Sequence, residues 1–234
     1  MKVKVFSSDL LFRAMFPKRK VRKERQFCIL DTDRYLCDMR HPEATKAKIL
    51  KLSGELFNTQ GYKATSISDI TTATRFTKGA IYRHFKNKNQ LEKEALQFLS
   101  DTMFQHIRQA IRLQPTAPLK LKMAFRYFET YISDPPIPGG CPLLNVAPEV
   151  DDAHPMLRKQ AAKVLEVLRE SLIQLLDNGI QHKQLRSDID KAAFASLSIA
   201  LLEGAIMMSK LQGNNKDIRQ ALRHLEKVID DMTL

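Results

Sequence analysis

From residue 42 onward, apolar side chains recur along the chain at helical spacing. Ile49, Ser53, Leu56 and Phe57 fall at i, i+4, i+7 and i+8, which is one face of an α-helix. Gly61 is expected to end this helix, because glycine adopts the left-handed conformation that commonly follows a helix. The pattern continues to residue 234 and predicts an all-α chain.

Two short helices are predicted after Gly61. Thr65 and Ser66 can cap a helix over residues 67–73, and Thr77 can cap a second over residues 78–85. The three-residue turn between them makes this segment a helix-turn-helix candidate. In the second helix Ile81 and Phe85 are expected to face inward with Phe76. The remaining positions face outward and include no acid: Lys78, Gly79, Tyr82, Arg83 and His84.

The rest of the chain is predicted to form longer helices. Apolar residues at helical spacing indicate a helix over 88–112, another over 119–132 and a final helix from Asn215. The proline- and glycine-rich stretch 134–140 must be a loop, and Pro142 can begin a short helix. A long helix starts at Asp152 or His154 and stops at Gly179, and Asp190 caps one over 191–211.

The positive charge is unevenly distributed. The net charge is +12, and residues 1–40 hold 11 basic and 5 acidic residues, residues 41–100 hold 10 and 5, and residues 101–234 hold 17 and 16. A basic N-terminal part joined to a neutral larger part is expected of a nucleic-acid-binding module attached to a part that binds a neutral ligand or another protein. A solvated basic surface would give the same charge.

Residues 1–40 show no sustained helix or strand period. They form either a basic arm that adds phosphate contacts or an extension upstream of a natural start at Met39, disordered or not native. We favour the extension, because its cysteines and apolar residues lack a pattern that would bury them.

Several protein classes have little support. No uncharged apolar stretch approaches the roughly 20 residues that cross a bilayer, and the N-terminus lacks the order of a secretory signal, so a cytoplasmic location without membrane contact is expected. Three cysteines, Cys28, Cys37 and Cys141, favour reduced thiols over a disulfide framework. The histidine spacings predict no metal site, and no motif indicates a cofactor.

The segment from Thr45 to Leu96 closely resembles the DNA-binding domain of the Tet-repressor (TetR) family of bacterial transcriptional regulators. The resemblance is carried by Ile49-Leu50, Leu56-Phe57, Gly61-Tyr62, Thr65-Ser66-Ile67, Asp69-Ile70 and the run from Thr77 to Lys88. It implies a three-helix DNA-binding head over residues 41–88 and a helical ligand-binding and dimerisation body over 89–234. The family usually has glycine where this chain has Arg75, and small alanines where it has Thr71 and Thr74.

The chemistry of the head assigns roles to its polar residues. Lys78 and Arg83 can reach base acceptors in the major groove, and Gly79 and Ala80 allow close approach. Hydroxyl, imidazole and ammonium groups are expected to hold phosphates, from Thr65, Ser66, Ser68, Thr77, Tyr82, His84 and Lys88. The simpler interpretation of Tyr82 and His84 is packing within the head.

The body is expected to bind an effector and a second copy of the chain. The residues expected to meet a small, mainly apolar inducer are Met103, Phe104, Ile107, Phe128, Cys141 and Asn145, each of which could also be ordinary core. By the resemblance, the last two helices form a dimer interface that includes Leu201, Gly204, Ala205, Met208, Leu222, Leu225 and Ile229. A dimer suits a palindromic operator in double-stranded DNA.

Three alternatives remain open from the sequence. Cys141 lies at a helix start, where backbone N–H dipoles could lower its pKa, and a related branch of the family suggests a repressor that senses oxidants or electrophiles through such a cysteine. An enzyme is a distant alternative, because Glu149, Asp151, Asp152 and His154 lie beside a helix start where such residues cap. A nonspecific architectural DNA-binding protein is the third.

Overall fold

The computed structural model describes residues 42–150 and 154–234. Within these residues the chain is helical, apart from turns and one isolated antiparallel bridge between Leu185 and Thr233. The expectations for residues 1–40, including those for Cys28 and Cys37, and for capping by Asp152 lie outside the described residues.

Three helices form the head. They are α1 (Pro42–Gln60), α2 (Ile67–Thr74) and α3 (Lys78–His84). Their apolar faces meet in a small core in which Ile49, Phe57, Ile70, Ile81 and Phe85 are at most 1% exposed. Gly61 follows α1 with φ 97°, so the predicted glycine stop is confirmed.

The body contains the longer helices. They are α4 (Lys88–Arg112), α5 (Ala117–Arg126), α6 (Pro142–Val146), α7 (Pro155–Gln181), α8 (Lys191–Gln212) and α9 (Lys216–Met232), with a 3₁₀ turn at Ala147–Glu149. Helix α4 packs against α5, α6 and α7, while α8 packs against α7 and α9. Side-chain caps at two of the predicted starts confirm the sequence reading: Asn87 accepts from the Gln90 N–H at 2.9 Å and Asp190 from the Ala193 N–H at 3.0 Å.

Two predicted helix boundaries were wrong. The helix expected over 119–132 begins at Ala117, because Pro118 fits the first turn, and its regular part ends at Arg126. Beyond it the bonds tighten to i→i−3, as in Phe128 N–H to Phe125 O at 3.0 Å. Gly179 does not stop α7, which continues to Gln181. A Cβ at Gly179 would lie 2.5 Å from the Leu185 side chain, so this glycine permits close packing inside the helix.

One described helix, α8, is long and apolar enough by length and composition to cross a membrane. The expectation concerned uncharged stretches and did not cover α8, which contains Lys191, Glu203 and Lys210. One side of α8 is buried within the chain through Phe194, Ala195, Ile199, Leu202 and Ile206. We interpret α8 as a core helix, since such helices pass the same test.

Candidate functional site

The helix-turn-helix is fixed by short-range hydrogen bonds. Ser66 and Asp69 form a reciprocal capping box at the start of α2: the Asp69 N–H donates to Ser66 Oγ at 3.2 Å, and the Ser66 N–H donates to Asp69 Oδ2 at 2.7 Å. The hydrogen bonds from the Ser66 side chain and backbone lower the pKa of the Asp69 carboxyl. Of the two residues predicted to cap this helix, Ser66 does so, with Asp69 as its partner, and Thr65 does not.

The turn between α2 and α3 contains a left-handed arginine. Arg75 has φ 60° and ψ 22°, and its N–H donates to Thr71 O at 2.9 Å. Thr74 supports the turn, since its hydroxyl donates to Ile70 O at 2.7 Å and accepts from the Phe76 N–H at 3.3 Å. The non-glycine residue costs about 1 kcal/mol in this conformation. The family turn is therefore kept despite the departure in sequence.

Helix α3 presents an exposed polar face, and its apolar face is buried as predicted. Thr77 caps the helix by accepting from the Ala80 N–H at 3.2 Å. The exposed residues, which we call the recognition face, are Thr77, Lys78, Gly79, Tyr82 and Arg83. A Cβ at Gly79 would meet no heavy atom within 4 Å, so the surface there is open. Lys78 Nζ lies 6.0 Å from the centre of the Tyr82 ring. This face offers hydrogen-bond donors and no negative charge.

His84 lies at the edge of the recognition face and is half-buried. Its ring packs at 6.3 Å from that of Phe85. Burial lowers the pKa of His84, and the nearby positive charges of Arg83 and Lys46 lower it further. At neutral pH the imidazole is therefore mainly neutral, with one N–H available to donate.

Two residues expected to hold phosphates are placed elsewhere. Thr65 is fully buried, and its hydroxyl donates to Gly61 O at 2.7 Å. Lys88 Nζ donates to Tyr62 O at 2.7 Å and pairs with Glu92 at 3.1 Å, and the Glu92 side chain is 1% exposed. Both predictions were wrong, because these polar groups satisfy buried partners within the protein. Ser66 and Ser68 are exposed, and Ala80 is half-buried.

Head and body are joined by hydrogen bonds that no pattern in the sequence predicts. Asn58, near the end of α1, is 4% exposed and donates to Pro138 O at 2.7 Å and Gly140 O at 3.0 Å. In return, Asn145 Nδ2 on α6 donates to Asn58 O, Asn58 Oδ1 and Gly139 O at 3.1, 3.0 and 2.8 Å. We call this set of bonds between Asn58, Asn145 and the loop 138–140 the head–body latch.

Glu149 makes a second link between the same two parts. Its carboxylate accepts from the Tyr62 N–H at 3.0 Å and the Lys63 N–H at 2.9 Å. Both approaches depend on glycine: a Cβ at Gly61 would lie 3.0 Å from Glu149 Oε1, and one at Gly139 would lie 2.4 Å from Asn58 O. The carboxylate that sequence reasoning treated as a possible acid–base group therefore has a structural role.

A cavity open to solvent lies beside the latch. Cys141 and Asn145 line it together with Tyr131, Leu144, Ile206 and Lys210. The other four residues expected to meet an inducer do not line it. Met103 and Phe128 are buried in the core, and Phe104 and Ile107 are half-buried against it. Among these residues the structure supports the core interpretation.

Cys141 does not have the environment expected of a reactive thiol. It is 2% exposed, and its Sγ donates to Glu203 Oε1 at 3.1 Å. Burial raises the pKa of Cys141 well above its usual value, and the adjacent Glu203 carboxylate adds to the effect. The expectation of a lowered pKa was wrong, because desolvation outweighs the dipole of the five-residue α6.

An apolar stripe runs along the outer side of α8. Leu197, Leu201, Met208 and Leu211 are 69, 36, 43 and 82% exposed, and Gly204 falls on the same stripe with no heavy atom within 4 Å of a Cβ built there. Four of the residues expected at a dimer interface are instead buried within the chain: Ala205, Leu222, Leu225 and Ile229. These four were misassigned, because α8 and α9 bury their facing sides against each other.

Among the residues that the structure describes, no group of three or more His, Cys, Asp or Glu side chains is placed to hold a metal ion.

The three-helix head, its acid-free recognition face and its attachment to a helical body define a helix-turn-helix DNA-binding protein. Residues 49–95 match the family model described as bacterial regulatory proteins of the tetR family, and residues 117–225 match the tetracyclin repressor-like C-terminal domain. The chain belongs to the TetR family.

Solved structures and a curated relative are similar over most of the chain. A TetR transcriptional regulator from Chloroflexus aurantiacus is 33% identical, with 83% of this chain and 98% of that chain covered and a TM-score of 0.78. A TetR-family regulator from Cytophaga hutchinsonii is 30% identical, with 82% and 96% covered and a TM-score of 0.76. The transcriptional repressor DhaR of Mycobacterium sp. (strain GP1) is 24% identical over 72% of this chain and 83% of its own. The protein is therefore a DNA-binding transcriptional regulator.

Proposed function

We propose that this regulator is a homodimeric repressor that binds a palindromic operator and is released by a small molecule bound in the body. The observation that carries the proposal is the recognition face. It places Lys78 and Arg83 beside an open glycine surface, where cationic side chains can reach guanine O6 and N7. Domain limits of 41–88 for the head and 89–234 for the body are part of the proposal.

Within the head, the proposed set of DNA-contacting residues is smaller than the set that the sequence predicted. Ser66, Ser68, Thr77 and Tyr82 are exposed and hold phosphates, and His84 donates from its partly buried ring. Gly79 and Ala80 allow the helix to approach the bases. Thr65 and Lys88 are excluded from this set by their internal hydrogen bonds.

The stripe on α8 supports the dimer. A row of large apolar side chains at Leu197, Leu201, Met208 and Leu211 is costly to leave in water, and a second copy can cover it by a symmetric contact. Two heads held about 34–36 Å apart would read two half-sites one turn of DNA apart. Covering the stripe in this way also accounts for the apolar composition of α8 without a membrane, in keeping with a cytoplasmic protein.

The DNA-binding part is tested by in vitro selection followed by footprinting of the selected sequence. A discrete palindrome is expected, whereas uniform coverage would indicate the architectural alternative. Tyr82→Ala and Lys78→Ala should each weaken binding by about 1–3 kcal/mol. Lys216→Ala removes an exposed charge from the body and should leave binding unchanged. Circular dichroism establishes that each variant is folded.

The dimer is tested by sedimentation velocity. Leu201→Glu places a charge in the stripe and should convert the dimer to a monomer at micromolar concentration. Leu113→Glu is the matched control, because Leu113 is 83% exposed and lies outside the stripe. A Leu201→Glu protein that stays dimeric would remove α8 from the interface.

A regulator of this kind requires no catalytic residue, and we propose none.

A further inference from the structure

The cavity beside the head–body latch is large enough to hold a very small molecule. It measures about 180 Å³ and lies between the segment 131–145 and α8. An engineered cavity of about 150 Å³ holds benzene, so this one accommodates a molecule of roughly six to eight non-hydrogen atoms. Leu144 and Ile206 give it apolar walls, while Tyr131 and Lys210 provide polar groups.

Lys210 brings a positive charge to the rim of the cavity. Its Nζ lies 3.1 Å from Asn145 Oδ1 and 3.4 Å from Gly139 O, and no carboxylate of the described residues lies within salt-bridge distance. By contrast, Lys88, Lys122 and Lys191 each pair with a carboxylate, which would compete with a bound anion. The site is therefore suited to an anion.

Tyr131 supplies a second donor. Tyr131 is 3% exposed and lines the cavity, and its hydroxyl lies near that of Tyr127 without the geometry of a full hydrogen bond. Burial raises the pKa of Tyr131, so the hydroxyl keeps its proton and can donate. A buried hydroxyl with an incomplete hydrogen bond is destabilising, and a ligand oxygen placed there would accept a better one.

Burial raises the pKa of the half-buried Glu203 carboxyl group, so this group opposes a bound anion less than an ionised surface carboxylate would. It lies behind Cys141, which donates to its Oε1 at 3.1 Å, while its Oε2 has no partner among the described residues. Lys210 supplies one positive charge to the cavity, which balances one negative charge on a ligand, whereas a doubly charged phosphate would keep an excess negative charge. A monocarboxylate therefore fits the combination of one cation, one hydroxyl and apolar walls.

We propose that this cavity binds a small monocarboxylate with an apolar chain, held by Lys210 and Tyr131, and that its binding loosens the head–body latch. The proposal rests on the proposed function and identifies the chemical class and site of its effector. The ligand's carboxylate draws Lys210 away from Asn145 and Gly139. Both of these residues also contact Asn58 of the head, since Asn145 donates to Asn58 and Gly139 packs against its carbonyl.

Binding is tested by calorimetry on the full chain without DNA. The probes are hexanoate, hexanamide and hexylamine, which share the apolar chain and differ in the end group. Hexanoate should bind about tenfold more tightly than the other two, since a charge-assisted hydrogen bond is lost with each. Equal affinity for hexanoate and hexanamide would overturn the assignment of the carboxylate.

Variants locate the bound probe. Lys210→Met keeps the apolar stem and should weaken hexanoate binding by about tenfold. Tyr131→Phe removes only the hydroxyl and should weaken it by about threefold to tenfold. Lys216→Met, which removes an exposed charge from α9, should leave it unchanged. Unchanged binding in Lys210→Met, with native circular dichroism, would overturn the site.

The link to the head is tested with the selected operator DNA. Hexanoate should lower the DNA affinity of the unaltered protein at least about fivefold, which is the lower end of common allosteric coupling, and should have little effect on Lys210→Met. Hexanoate binding without a change in DNA affinity would overturn the link. If the protein selects no discrete DNA sequence, the proposed function fails, while the calorimetry still decides whether the carboxylate site exists.

Discussion

Asn145 donates hydrogen bonds from one side-chain nitrogen to two oxygens of Asn58, the backbone carbonyl at 3.1 Å and the side-chain oxygen at 3.0 Å. The two residues are 87 positions apart and lie on α6 and α1. The position of the DNA-binding head on the body therefore depends on a specific amide pair as well as on the continuous chain into α4.

Replacing Asn145 with alanine should destabilise the protein. The change removes the contacts of Asn145 Nδ2 with Asn58 and Gly139 and the bond that its Oδ1 accepts from Lys210. It leaves the buried side-chain oxygen of Asn58 without its donor, so the free energy of unfolding should fall by about 2–3 kcal/mol. Urea denaturation at a fixed protein concentration measures it. Asn89→Ala, at an exposed position of α4, is the control and should change it by less than about 0.5 kcal/mol. Equal losses in the two variants would show that the latch contributes nothing.

The buried pair of Lys88 and Glu92 gives a second prediction. Lys88→Met leaves the carboxylate of Glu92, which is 1% exposed, without its cation. The free energy of unfolding should fall by about 2 kcal/mol. This loss is smaller than for a fully buried pair, because Lys88 is 29% exposed. The double variant Lys88→Met/Glu92→Leu should recover most of this loss. Lys93→Met, at an exposed site on the same helix, is the control in urea denaturation. A double variant as unstable as Lys88→Met alone would contradict the explanation.

His84 should make operator binding depend on pH. Its pKa in the free protein is lowered by burial and by Arg83 and Lys46, while a bound phosphate would favour the charged imidazole and raise the pKa. DNA binding then takes up protons between the two pKa values, so affinity should increase as the pH falls through this interval and level off below it. Fluorescence anisotropy measures the operator affinity from about pH 5.5 to about pH 8, the range in which histidines titrate.

The pH dependence of operator affinity should become smaller in His84→Gln. It should persist in His224→Gln, which alters an exposed histidine of α9. An identical pH profile for His84→Gln and the unaltered protein would show that His84 does not contact phosphate.

Cys141 should react slowly with alkylating reagents. Burial and Glu203 raise its pKa, so the thiolate fraction at pH 8 is small, and the side chain is 2% exposed. Mass spectrometry of peptides after brief iodoacetamide treatment should find Cys141 unmodified in native protein and modified in urea. Rapid native modification would restore the thiol-sensing alternative, which the present geometry does not support.

The sequence predicted the local structure well because its causes are local. The caps at Thr77, Asn87 and Asp190 each bond to an N–H three residues further along the chain, so these helix starts could be predicted from nearby residues in the sequence. The latch could not be predicted, because no spacing relates Asn58 to Asn145.

The site errors share one cause. Thr65 and Lys88 were assigned to DNA by residue type and motif, but both satisfy polar groups inside the protein. For Cys141 the helix start was visible in the sequence, whereas the packing that raises its pKa was not. Whether a polar residue near a functional surface binds DNA or satisfies a group inside the protein therefore depends on its burial. Burial is set by tertiary structure and cannot be read from residue type.

Helix α8 carries two surfaces that cannot move independently. Lys210 lines the cavity, and the next residue, Leu211, is 82% exposed on the apolar stripe. A rotation of α8 that shifts the ammonium also turns the stripe, so any such rotation would alter the cavity and the surface offered to another copy at the same time. In a dimer built on this stripe, each protomer would respond to ligand bound in the other. The fraction of operator released would then rise more steeply with ligand concentration than it would with a single independent site.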